Sequence, residues 1–280
     1  MLTSRISKVV ALLVLTLLVI GAVSGCDKSK GNNGEGGLEG TVKVAGSTSI
    51  QPLAEELAEA FMDNNPDVNV SVQGGGSTAG VESANKGTAQ IGTSSRELKD
   101  EEKDYGLTET VIAKDGIAVV INSSNNIQNL TIDQVKKIFT GEITDWSEVG
   151  GKKGNITVVV REAGSGTRGA FQEIVLGSDT KFISNAIVQN STGAVKTAVT
   201  KDPNAIGFIS TGSVDQEVNT IKIDNVAPSE STILDGSYKI SRPFLFLTKG
   251  AADSAVQPFI DFILSDEGQK IVSEEFVRAK

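Results

Sequence analysis

Three times in this chain a short run rich in β-branched residues breaks into a turn of Gly, Ser and Thr and then into a helical pattern, and that repeated unit restricts the fold more than any other feature. In the central copy, Ile156 to Val160 read as a buried strand. Gly164-Ser165-Gly166-Thr167 form the turn, and Ala170 to Leu176 are apolar at helical spacing. The same order recurs at Val42 to Ala45, Gly46-Ser47-Thr48-Ser49 and Ile50 to Phe61. It recurs again at Val68 to Val72, Gly74-Gly75-Gly76-Ser77-Thr78 and Ala79 to Asn85. Strand and helix in alternation predict α/β architecture with a largely parallel sheet, and ligands of such sheets sit at the carboxyl ends of the strands, where these turns fall. A helix start leaves backbone N–H groups unpaired and carries partial positive charge, so three hydroxyl-rich starts could converge on one anion. A single such turn is also a plain structural connection, and only the repetition argues for more.

The totals narrow the chemistry. At 280 residues and 39% apolar content the chain is long enough for two compact lobes. A net charge of −9 argues against a nucleic-acid surface, which needs a basic face, and no nucleic-acid partner is expected. An acidic protein that binds an anion must use a local, walled-off set of donors. The sequence contains no histidine, which removes Ser-His-Asp hydrolysis and His-ligated metal sites. Cys26 is the single cysteine, so neither an internal disulfide nor a cysteine metal cluster can form. No cofactor, metal or catalytic residue is expected, and the chain does not read as an enzyme.

Residues 1–25 have a basic start at Arg5 and Lys8, an apolar stretch from Val9 to Ile20, and small residues before Cys26. The apolar stretch is short for a membrane span and suits a signal-peptide core. Residues 26–40 are Gly, Asn, Lys, Ser and Glu with almost nothing apolar, the composition of a flexible tether. A first lobe is expected over 41–121 and a second over 122–223, with 224–280 crossing back to complete the first. The apolar run Ile117 to Ile121 and the β run Tyr238 to Thr248 are the two expected crossings.

Individual motifs carry different weights. Gly164-Ser165-Gly166-Thr167-Arg168-Gly169 formally matches a dinucleotide fingerprint, but no second strand ending in an acid follows about 20 residues on. Arg161, directly after a strand and before the Gly turn, could offer its planar fork to an oxyanion or pair with Glu162. Arg168 is expected in surface or interlobe pairing, and Trp146 in packing. Asp100-Glu101-Glu102 reads as a solvated helix face.

Four ordered motifs together resemble a known family. They are Ala45-Gly46-Ser47-Thr48-Ser49, Gly74-Gly75-Gly76-Ser77-Thr78-Ala79-Gly80, Ile91-Gly92-Thr93-Ser94-Ser95-Arg96-Glu97-Leu98 and Arg161-Glu162-Ala163-Gly164-Ser165-Gly166-Thr167-Arg168. In order and spacing they are similar to those of the phosphate-binding proteins of Pst-type ABC importers, over essentially all of 41–280. The resemblance implies a type II periplasmic-binding-protein fold with mixed, mostly parallel sheets, whose two lobes close over one phosphate, and an ABC permease as partner. Carried over by motif, Thr48, Ser49 and Ser77 would bind from the first lobe, and Arg161, Ser165, Gly166 and Thr167 from the second. Ser95 departs from the pattern, since many members have an aspartate there that accepts the proton of bound phosphate. A hydroxyl can accept that proton but can also donate its own, which bears on rejection of sulfate. Val23-Ser24-Gly25-Cys26 resembles the lipobox of bacterial lipoproteins, which implies cleavage before Cys26, lipidation of that residue and an extracytoplasmic, membrane-tethered body; a monomer is expected. A receptor for another oxyanion such as sulfate and, less in keeping with the residues, an exported phosphatase are the alternative functions.

Overall fold

The structure is a computed structural model and describes residues 37–250 and 255–279; the expected signal peptide, Cys26 and most of the tether lie outside the described residues. The first lobe begins with strand β1 (Gly40–Gly46), helix α1 (Gln51–Asn64), β2 (Val68–Gly74), α2 (Ser77–Lys86), β3 (Ile91–Ser94) and the short α3 (Asp100–Lys103). Strand β4 then runs from Leu107 to Asn122, longer than any other described strand. The second lobe follows with β5 (Asn129–Leu130), α4 (Ile132–Thr140), β6 (Thr157–Arg161), α5 (Gly166–Phe171), β7 (Ile187–Gln189), α6 (Thr192–Lys201), β8 (Ala205–Ser210), β9 (Val218–Thr220), β10 (Lys222–Ile223) and α7 (Glu230–Leu234). Strand β11 (Ser241–Lys249) returns the chain to the first lobe, where α8 (Val256–Leu264), α9 (Asp266–Val272) and β12 (Val277–Arg278) complete it.

The strands lie in the order β2-β1-β3-β11-β4-β8-β6-β7, with β9 and β12 also pairing β4. The outer strands are parallel, as the repeated strand–turn–helix units require. The expectation of mostly parallel sheets gives way in the middle, where β11 is antiparallel to both β3 and β4, and β4 to β8. The reason is topological: the two crossings carry the chain in opposite directions, so they pair antiparallel with each other.

Alternation along the crossing strands builds a core on each sheet face. On β4, Ile117, Val119 and Ile121 point to a core shared with Trp146, Phe139, Phe171 and Phe208, while Ala118 and Val120 point to one under α6. On β11, Phe244 and Phe246 face α1 and α8, and Leu245 and Leu247 face α2. Strands covered on both faces read as continuous apolar runs, which is why these segments stand out in the sequence. The second lobe extends further than expected. Ile233, Tyr238 and Ile240 pack into its core, so the return to the first lobe starts at Ser241 and not at residue 224. Short elements such as β9, β10 and α7 carry too little periodicity to mark that boundary.

Glu102 corrects another expectation. It is buried, and its carboxylate accepts from Arg96 Nη1 and Nη2, both at 2.7 Å, and from the Lys99 amide at 2.9 Å. Burial acts to raise this carboxyl, but the hydrogen bonds from Arg96 and the Lys99 amide outweigh it and hold the group below its usual value. A depressed carboxyl stabilises the fold above its unfolded value and loses that contribution as pH falls through the folded one. Glu102→Gln is therefore expected to lower unfolding free energy by about 3 kcal/mol at neutral pH, because it strands a buried guanidinium. The deficit against wild type should shrink below about pH 4, in the carboxylate range. Urea melts at neutral and acidic pH measure this, and a deficit that does not change with pH would refute it.

Candidate functional site

The carboxyl ends of β1, β2, β3, β6 and β7 meet where the two lobes face each other, and each delivers small polar residues there. After β1 the chain turns through Ser47 to Ile50 before α1; Ser49 is buried and Thr48 half-buried. After β2, Gly76 at φ +90° turns the chain so that Ser77 opens α2. After β3, Ser95 is fully buried with its amide donating to Ser77 Oγ at 3.0 Å. Ser47 Oγ donates to Ser95 Oγ at 2.9 Å, and Ser77 Oγ lies 3.3 Å from it on the other side. Its side-chain partners are hydroxyls alone.

From the second lobe, Ser165 caps α5, its Oγ accepting from the Arg168 amide at 3.2 Å. Gly166 and Thr167 begin that helix, and first-turn amides have no carbonyl one turn back to bond. The lobes are in direct contact. Ser49 Oγ lies 2.9 Å from Thr167 Oγ1 and 3.0 Å from Thr192 Oγ1, and the Thr78 amide donates to the Gly164 carbonyl at 3.0 Å. Thr48 Oγ1 accepts from the Thr192 amide at 3.3 Å.

Arg161 ends β6 and is 2% exposed. Of the two sequence readings, the structure shows the pairing with Glu162. Its Nε and Nη2 donate to the two carboxylate oxygens of Glu162 at 2.9 and 2.8 Å, while Nη1 donates to Thr192 Oγ1 at 3.3 Å. One edge of the fork is held by the neighbouring acid and the other end faces the cleft hydroxyls. Arg168 braces the same strand end by donating to the Arg161 carbonyl at 2.6 Å, with its guanidinium 4.5 Å from the centre of the Phe182 ring. Trp146 is core, 1% exposed, and its indole N–H donates to the Asn204 carbonyl at 3.0 Å.

Thus Thr48, Ser49, Ser77, Ser95, Arg161, Gly166 and Thr167 come together around the lobe contact, with Ser165 directly behind as the helix cap. Sequence reasoning missed Thr192, which touches Thr48, Ser49 and Arg161, and Ser47, which braces Ser95. The signal for Thr192 was present: Ser191-Thr192-Gly193 is another hydroxyl-rich start, with Ser191 capping α6. As a whole the cluster offers many hydroxyl donors and one guanidinium, most of them buried, to a small anion.

Comparison with known proteins agrees with that geometry. A family model for the PBP superfamily domain matches residues 31–267. The phosphate-binding protein PstS of Bacillus subtilis is 34% identical over 275 residues, covering 94% of this chain and 90% of that protein. PstS of Borreliella burgdorferi is 30% identical over 248 residues, covering 85% and 89%. A Clostridium perfringens protein crystallised with bound phosphate, and named as a phosphate ABC transporter substrate-binding protein, is 44% identical with a TM-score of 0.83, covering 86% of this chain and 100% of that one. An ABC-type phosphate transport receptor from Vibrio cholerae is 37% identical with a TM-score of 0.71, covering 85% and 100%. Two α/β lobes joined by a pair of crossing strands, with polar turns facing across the cleft, define the type II periplasmic-binding-protein class. Within that class, the chain belongs to the PstS family of phosphate-binding proteins.

Gly166 shows how tightly the lobes meet. A methyl group there would run into Ser77 Oγ and sit 2.7 Å from Ser95 Oγ, both on the opposite lobe. Gly166→Ala should therefore leave each lobe's fold intact but oppose closure, weakening anion binding by about 2–3 kcal/mol through overpacking. Small-angle scattering with and without phosphate should show ligand-induced compaction in the wild type and much less in the variant. Equal compaction in both would refute the steric account.

Proposed function

We propose that this protein is the extracytoplasmic receptor of a Pst-type ABC importer, binding one inorganic phosphate between its lobes and delivering it to the permease. It acts by binding and is not an enzyme. The observation that carries this reading is the meeting of hydroxyls from both lobes, Ser49 with Thr167 and Thr192, beside the buried end of Arg161. Both lobes supply donors that only a closed form can bring to one small ligand, so binding selects closure. Thr48, Ser49, Ser77 and Ser95 would bind from the first lobe and Arg161, Ser165, Gly166 and Thr167 from the second. Thr192 is added to that set because it touches both the Arg161 fork and Ser49.

The same reading includes export and tethering. Residues 1–25 serve as the signal peptide, Cys26 carries the lipid, and the Gly-rich segment behind it lets a monomeric body reach the permease. Among the described residues, no helix is long and apolar enough to cross a membrane. Cys26→Ser should abolish incorporation of fatty acid without changing the phosphate affinity of the folded body, as labelling of cells with a radioactive fatty acid would show. Equal labelling of wild type and variant would refute lipidation at that residue.

Arg161→Ala is expected to weaken phosphate binding by about 2–5 kcal/mol, since buried oxygens lose a charged partner. Calorimetric titration of a soluble form starting after Cys26 measures it, with sulfate as the comparison ligand. Unchanged phosphate affinity in the variant would remove Arg161 from the site, and stronger heat from sulfate than from phosphate would reassign the ligand.

A further inference from the structure

Behind the Ser95 turn lies an ion pair that takes no part in the cleft described above. Asp115 is fully buried on β4 and Arg242 is 4% exposed at the start of β11, directly opposite each other in the strand register. Arg242 Nε and Nη2 donate to Asp115 Oδ2 at 2.9 and 2.8 Å. The other oxygen, Oδ1, accepts from Ser210 Oγ at 2.8 Å, the Thr211 amide at 3.1 Å and Thr211 Oγ1 at 2.9 Å. The remaining fork nitrogen, Arg242 Nη1, donates to the Ser95 carbonyl at 3.1 Å.

The placement of these bonds matters more than their number. Ser95 belongs to the first lobe's site turn, and Ser210 and Thr211 end β8 of the second lobe. Asp115 and Arg242 sit on the two crossings, at the point where each passes between lobes. On β4, Leu107 to Gly116 pair with β11, and Ile117 to Ile121 pair with β8. A packing role alone would not call for a buried ion pair here, since well-packed apolar residues of similar volume often serve as well or better. A guanidinium with a rigid fork does what an apolar pair cannot: it fixes the direction of a carbonyl, and so of the Ser95 turn.

We propose that Asp115 and Arg242 are positioning residues for the anion site, holding the Ser95 hydroxyl at its closed-state position relative to the second lobe. The inference rests on the reading of Ser95 as part of a phosphate site. Neither side chain needs to touch the ligand. Arg242 sets the Ser95 turn through its carbonyl, and Asp115 ties Arg242 to Ser210 and Thr211 across the junction. The burial that pushes the Arg242 guanidinium below its usual value is opposed by the Asp115 charge, while the like charge of Arg161 adds to the push. Each of the two buried cations has its own carboxylate.

The test is a double-mutant cycle on phosphate affinity, with Arg242→Lys and Thr211→Val each made in wild-type and Ser95→Ala backgrounds. Lysine keeps the charge but cannot hold Asp115 with two nitrogens and reach the Ser95 carbonyl with a third. Valine keeps the shape of Thr211 and removes one tie to Asp115. With the Ser95 hydroxyl present, Arg242→Lys should weaken phosphate binding about tenfold and Thr211→Val about threefold, the scale of outer-shell positioning groups. In the Ser95→Ala background, where no hydroxyl is left to position, both losses should shrink towards zero. A merely structural role would instead lower the melting temperature and give equal losses in both backgrounds, and that result overturns the proposal, as does wild-type affinity in both single variants. If Arg242→Lys does not fold, the Thr211→Val cycle decides alone. Absence of phosphate binding by the wild-type protein would fail the phosphate reading itself, and is seen before any variant is compared.

Discussion

One strand has to serve two lobes, and most of the architecture follows from that. The sixteen residues of β4 lie against β11 in their first part and β8 in their last, with apolar residues on both faces beyond Gly116. Between those parts the sequence is Lys114-Asp115-Gly116; Lys114 is exposed, but Asp115 places a carboxylate at the start of the segment that is buried throughout. Asp115 is tolerable there because β11 arrives in register with Arg242 opposite, and because Ser210 and Thr211 supply the donors that a buried carboxylate needs. Gly116 is demanded by space, since a methyl group would lie 2.7 Å from Ile233 Cδ1 and 2.8 Å from Thr211 Cγ2. The second lobe thus packs so closely on the crossing that it leaves room for a backbone alone.

The strand–turn–helix units and the cleft they build were legible because each is local. A β-branched run, a turn of Gly and Ser, and an amphipathic helix lie within about twenty residues, and strand geometry alone sends their turns to one end of a parallel sheet. What escaped was long-range or too short to show a period. Thr192 follows β7, where Ile187 and Val188 are exposed and no buried run marks a strand. Arg242 and Asp115 are 127 residues apart, and their meeting depends on an antiparallel register that no local pattern encodes. Glu102 sits in a helix of four residues, too short for an apolar stripe to separate its buried face from its wet one.

The charge balance of the site explains how an acidic chain can be suited to an anion. Arg161 is held by Glu162 and Arg242 by Asp115, so both of these buried guanidiniums are already paired with a carboxylate. An anion drawn by net positive potential would find little here. What the cleft holds instead is a set of buried hydroxyls: Ser47, Ser77 and Ser95 bond one another within the first lobe, and Ser49 bonds Thr167 and Thr192 across the lobe contact. Hydrogen bonds between neutral hydroxyls are weak beside those made to an ionised oxygen, which are about twice as strong. Exchanging the first kind for the second favours binding without any change in the protein's net charge, and the favour is greatest where water is excluded. Directional donors also discriminate by shape, because each hydroxyl is fixed by a neighbour: Ser95 by Ser47 and Ser77, Ser165 by its helix cap. A site built in this way depends on the rigidity of its turns as well as on Arg161, and that makes the geometry of the crossing strands behind Ser95 part of the recognition.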